Sequence, residues 1–565
     1  MSVRTNGYRP RRSPDRRRPL APLVLGVLLV VAIPLAAYAV MSGGTRNPLP
    51  TASAGASAAT GSGGSPTGPA ATASAVVGGP GTPSAPSTPQ PPGTFGRRAI
   101  VPITNFRAPH SVSDLEEVAE VLAGTSSRYD ALRLVADEAD SILAALGMAR
   151  PTDPSRLATA TDAATLATDL AANRRQLAFV RADEVGPSVR VLAWGRHSLF
   201  GGDRVATLGD WPLHAELPDR APGATPYDPA AAWTLVAGGD ILLDRGVYKT
   251  IKLDGKGVDF PFDGGTAEIT SRYCCSSMGW DLPRTQRTGN EGAVRSLIEG
   301  ADISIANFEN PAPDRFTFHT RDTTFTADPA LIAGLANAGI DWVSLANNHI
   351  RDAGGQGVLE TIENLEARGL RHGGAGENAA AAHTATILDA GGVQVGILGY
   401  DAIAAGSAAG PDRIGSAQLS AAACRTDIAA ARSRGADVVI VFPHWGAEYD
   451  PTPFDGQQEL ARACLDAGAD MIIGNHAHWA GAIEVHDGKP IWYALGNFVF
   501  DQVWSEPTME GITLELTFSG TELRQIRMRP HIILDRAQPN FMDANGSGKV
   551  VMGQVFGASD GLLDW

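Results

Sequence analysis

The 565-residue sequence predicts an α/β fold, and two observations carry that prediction. Between residues 230 and 535, short apolar runs alternate with stretches whose apolar residues recur at helical spacing. Each apolar run also ends in a polar cluster, at the strand end where open α/β sheets place their ligands. One such stretch, Met471-Ile-Ile-Gly-Asn-His-Ala-His-Trp-Ala-Gly481, carries His476 and His478 two residues apart. If the backbone is extended there, both imidazoles leave on the same side. Imidazole suits Zn, Fe, Ni or Cu.

Taken in order, the chain begins with a basic tail, residues 1–19, whose first 18 residues hold seven arginines against one aspartate. Residues 20–41 are uncharged and rich in Leu, Val and Ala. At ~1.5 Å per residue such a run can cross a ~30 Å hydrocarbon core. The basic flank then puts the N-terminus in the cytoplasm and the rest outside, a single-pass cell-membrane protein. The A-x-A sequence Ala37-Tyr-Ala39 supports a second reading, a cleaved signal peptide and a secreted product. Residues 42–97 form an Ala/Ser/Gly/Pro linker with no charge between Asn47 and Gly96, unable to bury a core.

Without the first 18 residues the chain holds 39 Lys and Arg against 60 Asp and Glu, a net charge of −21. That body is unsuited to nucleic acid, and it repels anionic polymers except through a local cation. Four cysteines in a chain this long are no disulfide scaffold, and their pairing is not readable from sequence.

Residues 98–218 read as a small α/β accessory domain. Strands are expected at Ala99–Thr104, Gln176–Val180 and Val189–Trp194. Helices are expected after Ser111 or Ser113 as N-cap, from Tyr129 to Met148, and from Ala163 to Ala171. The run Phe179–Leu192 weakly resembles one lobe of a periplasmic binding protein. No catalytic motif falls here.

Residues 230–535 hold the chemistry. Trp233–Ala237 leads to Gly-Gly-Asp240, and Asp302–Ala306 to Asn307-Phe-Glu309-Asn-Pro. Asp341–Ala346 leads to Asn347-Asn348-His349-Ile-Arg-Asp352, and Ala436–Phe442 to Pro-His444-Trp-Gly-Ala-Glu448. Pro490–Leu495 leads to Gly-Asn497-Phe. Carboxylates, an amide oxygen and imidazoles gathered at strand ends make a donor set for divalent metal. Helices are expected at Asp328–Asn337, Gly357–Arg368, Ser420–Arg434 and Gly456–Ala467. Residues 252–292, with Cys274-Cys275, read as an insertion able to form a lid. Gly511–Phe518 and Leu523–Ile533 read as a closing hairpin, and residues 536–565 as an uninformative tail. His319 and Arg321 either meet an anionic substrate or belong to a surface strand.

These motifs, in this order from residue 234 to 502, closely resemble the CapA-type poly-γ-glutamate capsule biosynthesis family. That family looks related to the calcineurin-like metallophosphatases. The resemblance implies a metallophosphatase-like two-sheet sandwich flanked by helices, around two divalent ions (Mn, Fe or Zn). It implies a role in making, exporting or attaching an anionic γ-linked glutamate polymer or its carrier-linked precursor, with membrane synthases as partners. Carried over by position, Asp240 and His478 would hold the first metal, and Asn348, His444 and His476 the second. Glu309 would bridge them, and His349 would give a proton to the leaving oxygen.

Asn307, Asn347, Asp352, Glu448 and Asn497 are candidates to orient the ligands or to touch substrate, because ligating imidazoles usually donate their other N–H to an acceptor. The sequence departs from the metallophosphatase pattern at two places. Ile241 and Leu242 follow Asp240 where Asp-x-His is usual, and Glu309 replaces the bridging Asp. Three functions follow from these residues: a metal-dependent enzyme of polymer synthesis, a general envelope metallophosphoesterase, and a membrane-tethered scaffold without catalysis.

Overall fold

The computed structural model describes residues 95–219, 226–321 and 323–565. The basic tail, the apolar run and all but the end of the linker lie outside these residues. Among the described residues no helix is long and apolar enough to cross a membrane.

The chain folds as mixed α/β with three main sheets. The first is built from residues before Asp219, with the strand Phe95–Asn105 antiparallel to Gln176–Arg181, Val189–Val191 and His214–Pro218. Ala131–Val135 lies parallel to both Gln176–Arg181 and Leu157–Ala160. This corrects the expected helix Tyr129–Met148, of which only Ala139–Ala145 is helical. A strand buried on both faces is apolar throughout and shows no period that separates it from a helix. The first helix, Leu115–Ala123, is capped by Asp114, whose side chain accepts from Glu117 N, and not by either expected serine.

The other two sheets face each other. The ten-stranded sheet runs through Glu510–Ser519, Ala232–Ile241, Ile303–Phe308, Trp342–Ser344 and Arg371–Gly373, with Asn497–Val499 also paired to Ala232–Ile241. The six-stranded sheet runs through Val393–Asp401, Val438–His444, Met471–Ile473 and Lys489–Trp492.

Strand alternation explains the layering. Leu235, Ala237, Ile303, Ile305, Val438, Ile440 and Phe442 all enter one core shared by the two sheets. Their neighbours Val236, Ala306 and Phe308 turn outward under helices that include Ala293–Glu299 and Gly354–Glu366. Val439 and Val441 turn outward under Ala421–Ser433 and Asp455–Asp466. The result is a two-sheet sandwich flanked by helices.

The insertion at 252–292 forms an antiparallel hairpin, Thr266–Tyr273 with Leu282–Gly289, continuing the edge of the ten-stranded sheet. The closing hairpin is Glu510–Ser519 with Glu522–Leu534. Residues 536–565 are not a loose tail. Gln538–Phe541 joins the sheet, and Lys549–Ala558 buries Val551, Met552 and Val555 in the shared core. Cys424 and Cys464 form a disulfide that ties the two outer helices of the six-stranded sheet.

Candidate metal centre

The two sheets end side by side, and the polar clusters meet in the gap. Asp240, at the end of its strand, lies in register with Asn307 on one neighbour and Asn497 on the other. The strands approach closely there because Gly239 has no side chain: a Cβ would stand 1.9 Å from the Gly496 carbonyl oxygen. From the facing sheet come His444, at a strand end, and His476 and His478, just past Met471–Ile473.

The backbone at the two histidines is not extended. His476 has φ of 92° and His478 of 57°, in the left-handed region that costs a side-chain-bearing residue energy. The strained turn still aims both rings into one space, with centroids 6.0 Å apart. Both histidines, with His444, Asp240 and Glu309, are buried.

Two groups of potential ligand atoms share Glu309. Glu309, His444 and His476 form one, and Asp240, Glu309 and His478 the other, with the atoms of each group within 4.8 Å of one another. In the first, His444 Nε2 lies 3.0 Å from His476 Nδ1, 2.8 Å from Asn348 Oδ1 and 3.7 Å from Glu309 Oε1. In the second, Asp240 Oδ2 lies 3.5 Å from His478 Nδ1, and Glu309 Oε1 lies 3.8 Å from His478 Nε2.

The remaining expected residues surround these. Asn307 Nδ2 donates to Asp240 Oδ1 at 2.7 Å, and Asn347 Nδ2 donates to the Phe308 carbonyl at 2.9 Å. Asn497 Oδ1 meets His478 Nδ1 at 2.8 Å, while its amide nitrogen donates to the Thr508 carbonyl. His349 Nδ1 meets Asp352 Oδ2 at 2.9 Å, leaving Nε2 at 4.0 Å from Glu309 Oε1. Glu448 is exposed on the wall of a cleft of about 620 Å³ that opens over Asn348, His349 and His478.

Does this donor set fit a metal? Both oxygens of Glu309 are buried and accept no hydrogen bond, a state that costs a carboxylate several kcal/mol unless a cation or proton meets it. Burial first, and then Asp240 beside it, push the Glu309 carboxyl well above its ordinary range. Burial and the neighbouring imidazoles hold His444 and His476 well below theirs, so both are neutral and able to ligate. At His478 burial opposes the charge, but Glu309 and Asp240 outweigh it and raise the group to about 9. The Glu309–His478 pair thus keeps a proton where a cation would otherwise sit. The residues fit divalent metal.

Sequence reasoning missed several residues around the cleft. Arg245 lines it from a short helix and Tyr449, Asp501 and Trp504 from loops, while the buried Asp244 holds the amide of Thr326. The one local signal was Asp244 as N-cap of the short helix Arg245–Tyr248. His319 and Arg321 lie in a loop, not on a surface strand; Asp244 anchors His319, and Arg321 lines the cleft.

Fold and site together define a class: a two-sheet α/β domain whose strand ends gather a carboxylate–imidazole centre with the donors of a divalent-metal site. Residues 234–502 match the family described as bacterial capsule synthesis protein PGA_cap. The capsule biosynthesis protein CapA of Bacillus anthracis is 35% identical over 220 residues, covering 38% of this chain and 54% of that protein. The PGA biosynthesis protein CapA of Bacillus subtilis is 35% identical over 216 residues, 38% of this chain and 57% of that protein. Residues 234–502, a little under half of the chain, are therefore similar to this capsule synthesis family. It spans about half the length of these curated relatives. A solved structure, the calcineurin-like phosphoesterase YfkN from Bacillus subtilis, is similar over 59% of this chain and 98% of that one, at 12% identity and a TM-score of 0.31.

Proposed function

We propose that this protein is a metal-dependent accessory enzyme in the synthesis, export or attachment of an anionic polymer such as poly-γ-glutamate. It would act at the cell surface beside a membrane synthase and be held there by residues 20–41. The observation that carries the reading is Glu309, whose two buried oxygens lack a donor and which is shared by both groups of candidate ligands.

In this reading Asp240, Glu309 and His478 would hold one ion, and Glu309, Asn348, His444 and His476 would hold the other. When bound, the ions would polarise the scissile bond and offset charge that builds in the transition state. The chain's own residues do the rest. Asn497 fixes His478 through Nδ1, and Asn307 holds Asp240, so both present their ligand atoms in set directions. With His349 Nδ1 committed to Asp352, Nε2 is the nitrogen left to hand a proton to a leaving oxygen. Glu448 stands on the cleft wall, where it meets substrate or the outer face of the centre.

Elemental analysis of the chain purified without chelator tests the proposal, with about two ions per chain expected. Substoichiometric metal after reconstitution with Mn, Fe or Zn overturns it. His349→Ala should keep the metal and lose about 10²–10⁴ in turnover of an activated phosphoester or of polymer-linked product.

One observation favours a second reading, a scaffold without catalysis. Leu242, two residues after Asp240, is buried against Phe325, Phe500 and Ile533. The metallophosphatase pattern has a ligating histidine at that position, so the first site draws on three side chains here. A single retained ion, with polymer production unchanged in His349→Ala cells, would select the scaffold. A general envelope phosphoesterase would instead turn over simple phosphate esters and leave polymer output untouched when deleted.

A further inference from the structure

The loop from Thr317 to Thr326 lines the cleft through its described residues Thr320, Arg321, Thr323 and Phe325. Its two ends are joined by one side chain, because Thr326 Oγ1 accepts from Thr317 N at 3.0 Å and donates to the Thr317 carbonyl at 2.7 Å. Beneath it, the buried Asp244 carboxylate accepts from Arg245 N, His319 N and Thr326 N at 2.7, 3.1 and 3.0 Å, and meets His319 Nδ1 at 2.5 Å.

A second carboxylate joins the loop to the centre. Asp352 Oδ2 accepts from Phe325 N at 2.8 Å and meets His349 Nδ1 at 2.9 Å. The Phe325 ring lies 4.1 Å from the His349 ring, and the Arg245 guanidinium sits 4.7 Å over its face. Arg245 is in turn held by Asp501 at 2.5 Å. The Phe325 end of the loop is therefore held by Asp352, the carboxylate that also holds His349.

What the loop presents is Arg321. Its side chain is exposed, it lines the cleft that opens over Asn348, His349 and His478, and no hydrogen bond or ion pair ties it among the described residues. Arg245, on the same cleft, is committed to Asp501 and Phe325. In a chain of net charge −15, an untied guanidinium at the mouth of a buried acidic centre is a place where an anion is favoured locally against the field of the whole molecule. Its planar fork matches carboxylate and phosphate oxygens in pairs.

We propose that Arg321 is the substrate-recognition residue of this cleft, reading an anionic oxygen group on the part of the substrate that lies outside the metal centre. This rests on the metal-enzyme reading for what happens below, but the anion contact itself does not. Phosphate and carboxylate share the chemistry, and the test separates them.

The full chain, metal-loaded, is titrated calorimetrically with inorganic phosphate and, separately, with a γ-linked glutamate oligomer. Wild type is compared with Arg321→Gln and Arg321→Lys, and metal content and thermal unfolding are measured on the same samples. Arg321→Gln should weaken binding about tenfold or more, the scale of losing one charge-assisted pair, with unchanged metal and melting temperature. Arg321→Lys should recover part of the affinity, because it keeps the charge and loses the fork. Weakening confined to phosphate assigns a phosphate-bearing substrate, weakening confined to the oligomer assigns the polymer, and weakening of both assigns the shared anion site. Unchanged affinity for both probes in folded Arg321→Gln overturns the proposal. Metal present with no Arg321 effect removes this inference alone, whereas an Arg321 effect in a chain that binds no metal removes the enzyme reading and leaves the anion site standing.

Discussion

Glu309 is the residue whose surroundings make least sense without a cation, since both its oxygens are buried without a donor. Glu309→Gln should therefore purify with less metal than wild type, read by elemental analysis. Asn497→Ala removes the partner of His478 Nδ1 and leaves every candidate ligand in place. Its metal affinity should fall about 10–100-fold in a competitive chelator titration.

Protons compete for the same space, and their sign can be worked out. His478 is raised from an ordinary 6.5 to about 9 in the fold. It therefore binds more protons folded than unfolded. That contribution to stability is full below about 6.5 and is lost as pH rises through about 9. Chelator-treated protein should melt at progressively lower temperature across that window, and metal-loaded protein should not. Equal slopes for the two forms would contradict the assignment of His478.

Asp240, Glu309, His444, His476 and His478 were readable because each follows an apolar strand, and a strand end is local information. Asp244 was not, because the loop amides it holds belong to residues 75 and 82 positions away. The same holds for Tyr449 and Trp504, whose rings meet at 4.8 Å only once separate loops are folded over the cleft.

At the scale of elements, the strand pattern of the sandwich was legible and the segment Ala131–Val135 was not. Its Leu132 and Leu134 are fully buried, yet Ala131 and Val135 are buried too, so nothing in the spacing marks one solvent face. Its state is decided by the parallel neighbours on both sides. The helices Ala421–Ser433 and Asp455–Asp466 present the opposite case, readable singly but not as a bonded pair. Their disulfide, Cys424 to Cys464, closes 40 residues. Loop-closure entropy puts its contribution at up to about 4 kcal/mol. The double variant Cys424→Ala, Cys464→Ala should lose stability up to that amount in denaturant unfolding, while metal content stays the same because neither cysteine belongs to the centre.

Across the whole molecule, the last residues act as a brace. The Trp565 ring meets Phe106 at 5.5 Å, and Arg107 of the first sheet's domain donates to the Leu563 carbonyl at 2.7 Å. The same segment buries Val551, Met552 and Val555 between the sheets. Deleting residues 549–565 should cost on the order of 5 kcal/mol, from the lost burial of Val551, Met552 and Val555 against the core they cover, and show as lost soluble yield or an early unfolding transition.

The donors stand on both sides of the sandwich, with Asp240 and Glu309 from one sheet and His444, His476 and His478 from the other. An ion held among them would be a rivet through the seam, and drawing the sheets apart would require releasing it. Its binding energy would then add to folding energy, growing with the logarithm of free metal. The supply of free metal would then set how long the folded molecule survives.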